Sequence, residues 1–203
     1  MIDDFYKNIK NIRFVGLGSK CQTRHNLSRL NLTQKSLPYD DAWSYSFSKV
    51  AESMYNDFEG FCDKENFEIR DEFINFEGFY PGTGYNRKYD IHFAHHIMNE
   101  EFFNKLNRRV LRFREILNSK NVVFVRQEVD TVPDKTIAQQ IQNYYKKLSV
   151  KVYFILIRDV PKLEIFSCEQ NIIEYGFPVS QTYKGYYRMW DKVLLNKISL
   201  MLI

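Results

Sequence analysis

The sequence predicts an α/β fold: a single three-layer domain over residues 1–203, with a mainly parallel central sheet flanked by helices. Three observations carry this expectation. Short apolar runs rich in β-formers alternate along the chain with segments whose apolar residues recur every three or four positions. The chain, at 203 residues, is long enough to bury one full core without disulfides or metal. Its 44% hydrophobic and 27% charged residues are ordinary for a globular protein and exclude disordered and fibrous chains.

The elements follow in order. Residues 12–17 form a first strand, broken by Gly18 and Ser19. A helix over about 20–30 follows, with Leu27 and Leu30 three apart and Ser19 placed to cap it. Pro38 marks a loop, and a helix runs from about 46 to 58. Residues 61–89 alternate acids with Phe and Ile and end in the turn Pro81-Gly82-Thr83-Gly84, which reads as short strands and loops. Over 99–118, Phe102, Phe103, Leu106, Val110, Phe113 and Leu117 keep helical spacing. Residues 121–126 are a buried strand, 135–148 a helix, 150–157 a strongly apolar strand and 163–168 one more strand. An amphipathic helix over 188–203 closes the chain, and no internal repeat or low-complexity linker interrupts it.

Charge and cysteine usage exclude several classes. Twenty-nine basic residues against 25 acidic ones leave only +4. The densest basic stretch, 105–114, falls on a predicted helix as a solvated face, and no aromatic–basic alternation suggests base stacking. A nucleic-acid partner is not expected. No apolar run approaches the ~18 residues of a membrane span, and the acids Asp3 and Asp4 stand where a signal peptide would be basic, so a cytoplasmic location is expected. Cys21, Cys62 and Cys168 are odd in number and contain no CxxC pair, which argues against a disulfide framework or zinc knuckle. Gly16-x-Gly18 lacks the third glycine of a dinucleotide fingerprint, because Cys21 stands in its place. No Walker motif is present, and no cofactor is expected.

Cys21 is the residue that chemistry singles out. It falls in the first turn of the first helix, where unpaired N–H groups and the helix dipole favour negative charge. A thiolate so placed has a lowered pKa and is a better nucleophile. The amides of Gly18, Ser19 and Cys21 are candidates for holding an oxyanion or another anion. A small buried cysteine packing the turn is the competing reading. Four histidines supply the base candidates. His25 lies one turn along the same helix and is poorly aimed. His92, His95 and His96 lie together in 89–97; if that segment is extended, His95 shares a face with Ile91 and Phe93, and His92 and His96 share the other. Helical HExxH spacing is absent, so no metal is expected. Asp40 and Asp41 are candidates to orient an imidazole, and equally to cap the helix near Ser46.

Gly16-Leu17-Gly18-Ser19-Lys20-Cys21-Gln22-Thr23-Arg24, followed by Asn26-Leu27-Ser28-Arg29-Leu30, resembles the opening motif of a bacterial family of papain-like cysteine peptidases, a domain of unknown function. That family's Pro-Phe-Asp-Trp element has a counterpart in Pro38-Tyr39-Asp40, with Asp41 and Ala42 inserted before Trp43. Its histidine element resembles Phe93-Ala94-His95-His96-Ile97. A later helix and strand resemble residues 112–117 and 122–126, so the likeness spans about 12–160. The resemblance implies a site of Cys21, His95 and Asp40. The Cys-Gly-Ser-Cys-Trp context of papain itself is absent, so a Cys/His site is implied more strongly than peptide cleavage. The leading expectation is a cysteine hydrolase of peptidase type. The alternatives are an acyltransferase acting on a sugar or surface polysaccharide, and a non-catalytic anion-binding domain. The substrate, whether small molecule, peptide or glycan, is not specified.

Overall fold

The computed structural model describes residues 12–19, 21–33, 35–70, 81–119, 121–128, 134–162, 164–169, 171–178 and 187–196. In chain order the elements are β1 (Ile12–Gly16), α1 (Gln22–Arg29), β2 (Trp43–Ser44), α2 (Phe47–Tyr55), β3 (Phe67–Arg70), β4 (Thr83–Asn86), β5 (Ile91–Ile97), α3 (Glu100–Leu117), β6 (Asn121–Glu128), α4 (Lys135–Lys147), β7 (Lys151–Val160), β8 (Glu164–Glu169), β9 (Ile172–Pro178) and α5 (Tyr187–Asn196). Residues 71–80 of the predicted strand-and-loop region, and 197–203 of the predicted closing helix, lie outside the described residues.

Five strands form one sheet in the order β1-β6-β7-β9-β8. β1, β6, β7 and β9 run parallel, and β8 pairs antiparallel with β9 at the edge. Period-two alternation sends side chains of each strand into separate cores. Val122, Phe124, Phe154 and Leu156 join an apolar cluster with Val50 and Met54 of α2, Val110 and Phe113 of α3, and Ile141 and Tyr145 of α4. Val123, Val125, Ile155 and Ile157 join another with Leu27 of α1 and Trp190, Val193 and Leu194 of α5. This is a mixed α/β fold with a four-strand parallel sheet flanked by helices.

Helix starts follow local chemistry. The Ser46 hydroxyl accepts from the Lys49 amide, the Asn99 side chain from the Phe102 amide, and the Asp134 carboxylate from the Thr136 amide. Each satisfies a first-turn N–H that the helix's own carbonyls cannot reach.

Two features depart from the sequence reading. The first is a second sheet of four antiparallel strands, ordered β2-β5-β4-β3. It uses the stretch read only as short strands and loops, together with the histidine segment, and lies in the chain between β1 and β6. The second is β9, which sequence reasoning missed. Glu174, Gly176 and Pro178 break its apolar pattern, yet it takes a central place beside β7.

Candidate functional site

The turn after β1 is built by close approach. Gly18 has φ +75°, and a Cβ there would lie 2.6 Å from the Ser44 hydroxyl oxygen. Only glycine accepts both conditions. Ser19 follows in the left-handed region at φ 72°, a conformation that costs a non-glycine residue strain. Its amide donates to Ser44 Oγ at 2.8 Å. Ser44 Oγ also accepts from Arg126 Nη1 at 2.8 Å and donates to the Leu17 carbonyl at 3.3 Å. Arg126, fully buried at the end of β6, donates further to the Leu17 carbonyl at 2.7 Å and the Ser44 carbonyl at 3.1 Å. Glu128 balances its charge, and the guanidinium lies 4.8 Å from the Phe47 ring centre.

Cys21 occupies the N-cap position of α1, half-buried, and its side chain makes no capping hydrogen bond. Ser19, expected to cap this helix, is turned away from that role by its left-handed backbone. Its amide is engaged by Ser44. Gly16 has a comparable local purpose: a Cβ would meet Asp40 Oδ1 and Thr23 Cγ2, each at 3.3 Å. Both glycines of the Gly-x-Gly pair therefore make room for the protein's own side chains.

Asp40 and Asp41 are neighbours with opposite environments. Asp40 is buried; its Oδ2 accepts from the Leu37 amide at 2.8 Å and lies 3.4 Å from Arg24 Nε of α1. Burial pushes its carboxyl up to about 7, against the opposing pull of Arg24 and the Leu37 amide. Asp41, at φ 60°, lies 3.4 Å from Arg109 Nη2 and 3.9 Å from His96 Nε2. Burial acts to raise its carboxyl too, but His96 and the Arg109 guanidinium outweigh burial and hold it below the ordinary value. Arg109, on α3, is also buried and donates to the Asp40 carbonyl at 2.8 Å. Its Nη2 lies 3.3 Å from His96 Nε2.

A break in register brings His96 there. Thr83 pairs with Ile97 while the next residue, Gly84, pairs with Phe93. Ala94, His95 and His96 therefore bulge from β5, and the simple alternation of faces expected for 89–97 stops at Phe93. His95 and His96 are half-buried and line a cavity of about 290 Å³ with Ile97, Asn99, Phe102 and Lys105. His92 is buried at 1% exposure, with Nε2 2.8 Å from the Thr83 hydroxyl. His25 faces α5: its Nε2 lies 2.9 Å from the Tyr187 hydroxyl and the two rings stack.

These contacts bring α1, the 37–44 segment, the β5 bulge and α3 into one charged cluster, from Arg24 through Asp40 and Arg109 to Asp41 and His96. Among the described residues no group of three or more His, Cys, Asp or Glu is arranged to hold a metal. Cys62 is half-buried, and burial raises its thiol to about 12, which keeps it protonated; Cys168 falls on β8. Sequence reasoning missed Ser44, Arg109 and Arg24. Arg126 was visible only as the basic end of an apolar strand, an unusual place for a cation without a buried acceptor. No helix among the described residues is long and apolar enough to cross a membrane.

A family model matches residues 12–159, well over half of the chain. A curated relative, the uncharacterized protein R408 of Acanthamoeba polyphaga mimivirus, is 24% identical over 220 residues, covering 91% of this chain and 97% of that protein. The relative is viral, so the bacterial source that the resemblance carried is set aside. No solved structure matches the chain. The match extends from the strand before the glycine turn nearly to the end of β7, and thus takes in Cys21, both aspartates and the histidine bulge: the chain belongs to the family described as "putative papain-like cysteine peptidase".

Proposed function

We propose that the chain is a cysteine hydrolase of peptidase type, with Cys21 as nucleophile and His95 as general base. The observation that carries this reading is Cys21 at the head of α1, just beyond the carboxyl end of β1. In parallel sheets that edge is the usual ligand position, and a helix N-terminus favours thiolate over thiol. Family membership supports a cysteine-based site. His95 is preferred over His96 because His96 Nε2 is held between Arg109 Nη2 and the Asp41 carboxylate. His95 lines the cavity of the bulge, and it is the histidine that the family resemblance implies. Asp41, His96 and Arg109 then act as supports of the bulge, and Asp40 as the link to α1 through Arg24. The two flanking apolar clusters support reading the chain as one three-layer domain.

The chemistry balances as ordinary acyl transfer. The Cys21 sulfur attacks a carbonyl carbon while His95 takes the thiol proton. The tetrahedral oxyanion, held by N–H groups at the head of α1, collapses, and the leaving group departs with that proton. Water then attacks the thioester, His95 again removing the proton, and the acid leaves as Cys21 returns to the thiol. The test uses an electrophilic acyl thioester with the intact protein, followed by peptide mass spectrometry. A mass increment on Cys21 that decays in water supports the hydrolase; transfer to an added sugar hydroxyl instead redirects the reading to an acyltransferase. Modification of Cys62 or Cys168 with none at Cys21 would overturn it.

A further inference from the structure

We propose that Ser44 and Arg126 are positioning residues that hold the Cys21 turn in its reactive conformation, an inference that rests on the functional reading above. Neither touches the reacting atoms. Their role follows from how the turn is held. Two successive residues, Gly18 and Ser19, adopt left-handed backbone in the turn that leads into Cys21, two positions beyond Ser19. Ser19 has no glycine freedom, so something must compensate its strain. Among the described residues, the side chain bonded to its amide is Ser44, through Oγ at 2.8 Å.

That hydroxyl is fully committed. It accepts from the Ser19 amide and from Arg126 Nη1, and it donates to the Leu17 carbonyl. A hydroxyl has one proton and two lone pairs, so its capacity is used up and its orientation fixed. Arg126 in turn binds the carbonyls on both sides of the gap, Leu17 at 2.7 Å and Ser44 at 3.1 Å. The guanidinium is buried on the rigid strand β6. It thus fastens the turn after β1 and strand β2 to the parallel sheet at once. Gly18 is pressed against the same hydroxyl, leaving no space for the turn to relax toward Ser44. The direction in which α1 leaves the turn, and with it the position of the Cys21 sulfur, is set by this clamp. Arg109 of α3 supports the bulge through Asp41 and His96, whereas the turn before Cys21 is held by Ser44 and Arg126.

The test needs no known substrate. The rate of Cys21 alkylation by iodoacetamide is followed against pH by peptide mass spectrometry, with Cys62 as internal reference. In the parent protein, Cys21 should react faster than Cys62 at pH 7. Ser44→Ala should move the Cys21 profile toward higher pH and lower its rate at pH 7 by about tenfold, the factor for one pKa unit. Ser44→Thr, which keeps the hydroxyl, should restore most of that rate. Ile141→Val, a core change in α4 far along the chain from the turn, should leave the profile unmoved, which separates positioning from general loss of stability. A Ser44→Ala protein with the parent's Cys21 profile would overturn the inference and leave the functional reading standing. A parent Cys21 no more reactive than Cys62 would overturn the functional reading and this inference with it. If Ser44→Ala does not fold, hydrogen exchange of the Ser19 amide in the parent protein decides: protection is expected, and exchange at the rate of an open loop would overturn the inference.

Discussion

Replacing Gly18 by alanine probes the turn most directly, because two separate penalties can be resolved there. The first is conformational: at φ +75° a residue with a Cβ costs about 1–2 kcal/mol. The second is steric and polar. The new Cβ would lie 2.6 Å from Ser44 Oγ, below any real contact, and Ser44 cannot step aside without releasing the Ser19 amide and Arg126 Nη1. Leaving such buried donors short costs about 1–3 kcal/mol. The sum is roughly 2–5 kcal/mol, a large share of the 5–15 kcal/mol typical of a domain. Gly82 supplies the internal control. Its φ is also +75°, but the nearest atom to a Cβ there is Ile97 Cγ2 at 3.7 Å, an ordinary contact. Gly82→Ala should therefore carry only the conformational term, about 1–2 kcal/mol. Urea unfolding of both variants reads the difference through the midpoint, provided the slope is unchanged. Gly18→Ala should exceed Gly82→Ala by about 1–3 kcal/mol. Equal losses would refute the collision with Ser44 and the reading of this glycine as a close-approach position.

Two further predictions concern the charged cluster. Asp40 is buried, and burial lifts its carboxyl to about 7, so the folded state holds this proton more tightly than the unfolded chain. Its favourable contribution is complete below about pH 4 and is lost as pH rises through about 7. Asp40→Asn keeps an oxygen for the Leu37 amide and removes the titration. Relative to the parent it should gain on the order of 2–4 kcal/mol between pH 4 and pH 8, read as Tm against pH; a gap that does not change with pH refutes the assignment. Arg109 spans the Asp40 carbonyl, the Asp41 carboxylate and His96, which a single ammonium cannot do. Arg109→Lys should lose about 2–3 kcal/mol in urea unfolding, and parent-like stability would show that the fork geometry is immaterial.

The parallel sheet was legible because its signal is local. Residues 121–126 and 150–157 are continuous apolar runs, and both are central strands buried on both faces. The helices starting near Ser46 and Asn99 were legible from local patterning, but their caps were not: the cap expected near Ser46 from Asp40 or Asp41 is supplied by Ser46 itself, and Asn99 caps the second helix. The second sheet was not. β2 is two residues long, too short for any period to register, and β3 and β4 carry Glu68, Arg70, Gly84 and Asn86 among their few positions. At the candidate site, Cys21 was singled out from its place after a glycine turn, and the structure puts it at the N-cap of α1. An aspartate of the 40–41 pair was expected to meet an imidazole, but that Asp41 approaches His96 was not legible, because it depends on the bulge at 94–96, and a bulge depends on the partner strand. Arg109 reads as one cation in a basic helix; only packing distinguishes its buried guanidinium from its solvated neighbours.

The site's construction follows from where the second sheet enters the chain. β1 and β6 are hydrogen-bonded neighbours, yet α1, the whole antiparallel sheet and α3 lie between them in sequence. An insertion at that point begins and ends beside the same sheet edge, so its residues return to the turn that carries Cys21. β2 registers the two sheets. Trp43 and Ser44 pair with His92 and Ile91 of β5, while the Ser44 hydroxyl and carbonyl are bound by Arg126 of β6. The same two-residue strand is thus a sheet partner on one side and an acceptor for the parallel sheet on the other. Stability and site geometry consequently reside in different contacts. The apolar strands β6 and β7 bury the core, whereas Ser44, Arg126 and Arg109 bury charge and hydroxyl groups whose net contribution to stability is small for the desolvation they require. What those groups supply is direction: they fix the turn before α1 and the bulge of β5 relative to one sheet, which apolar packing alone does not specify.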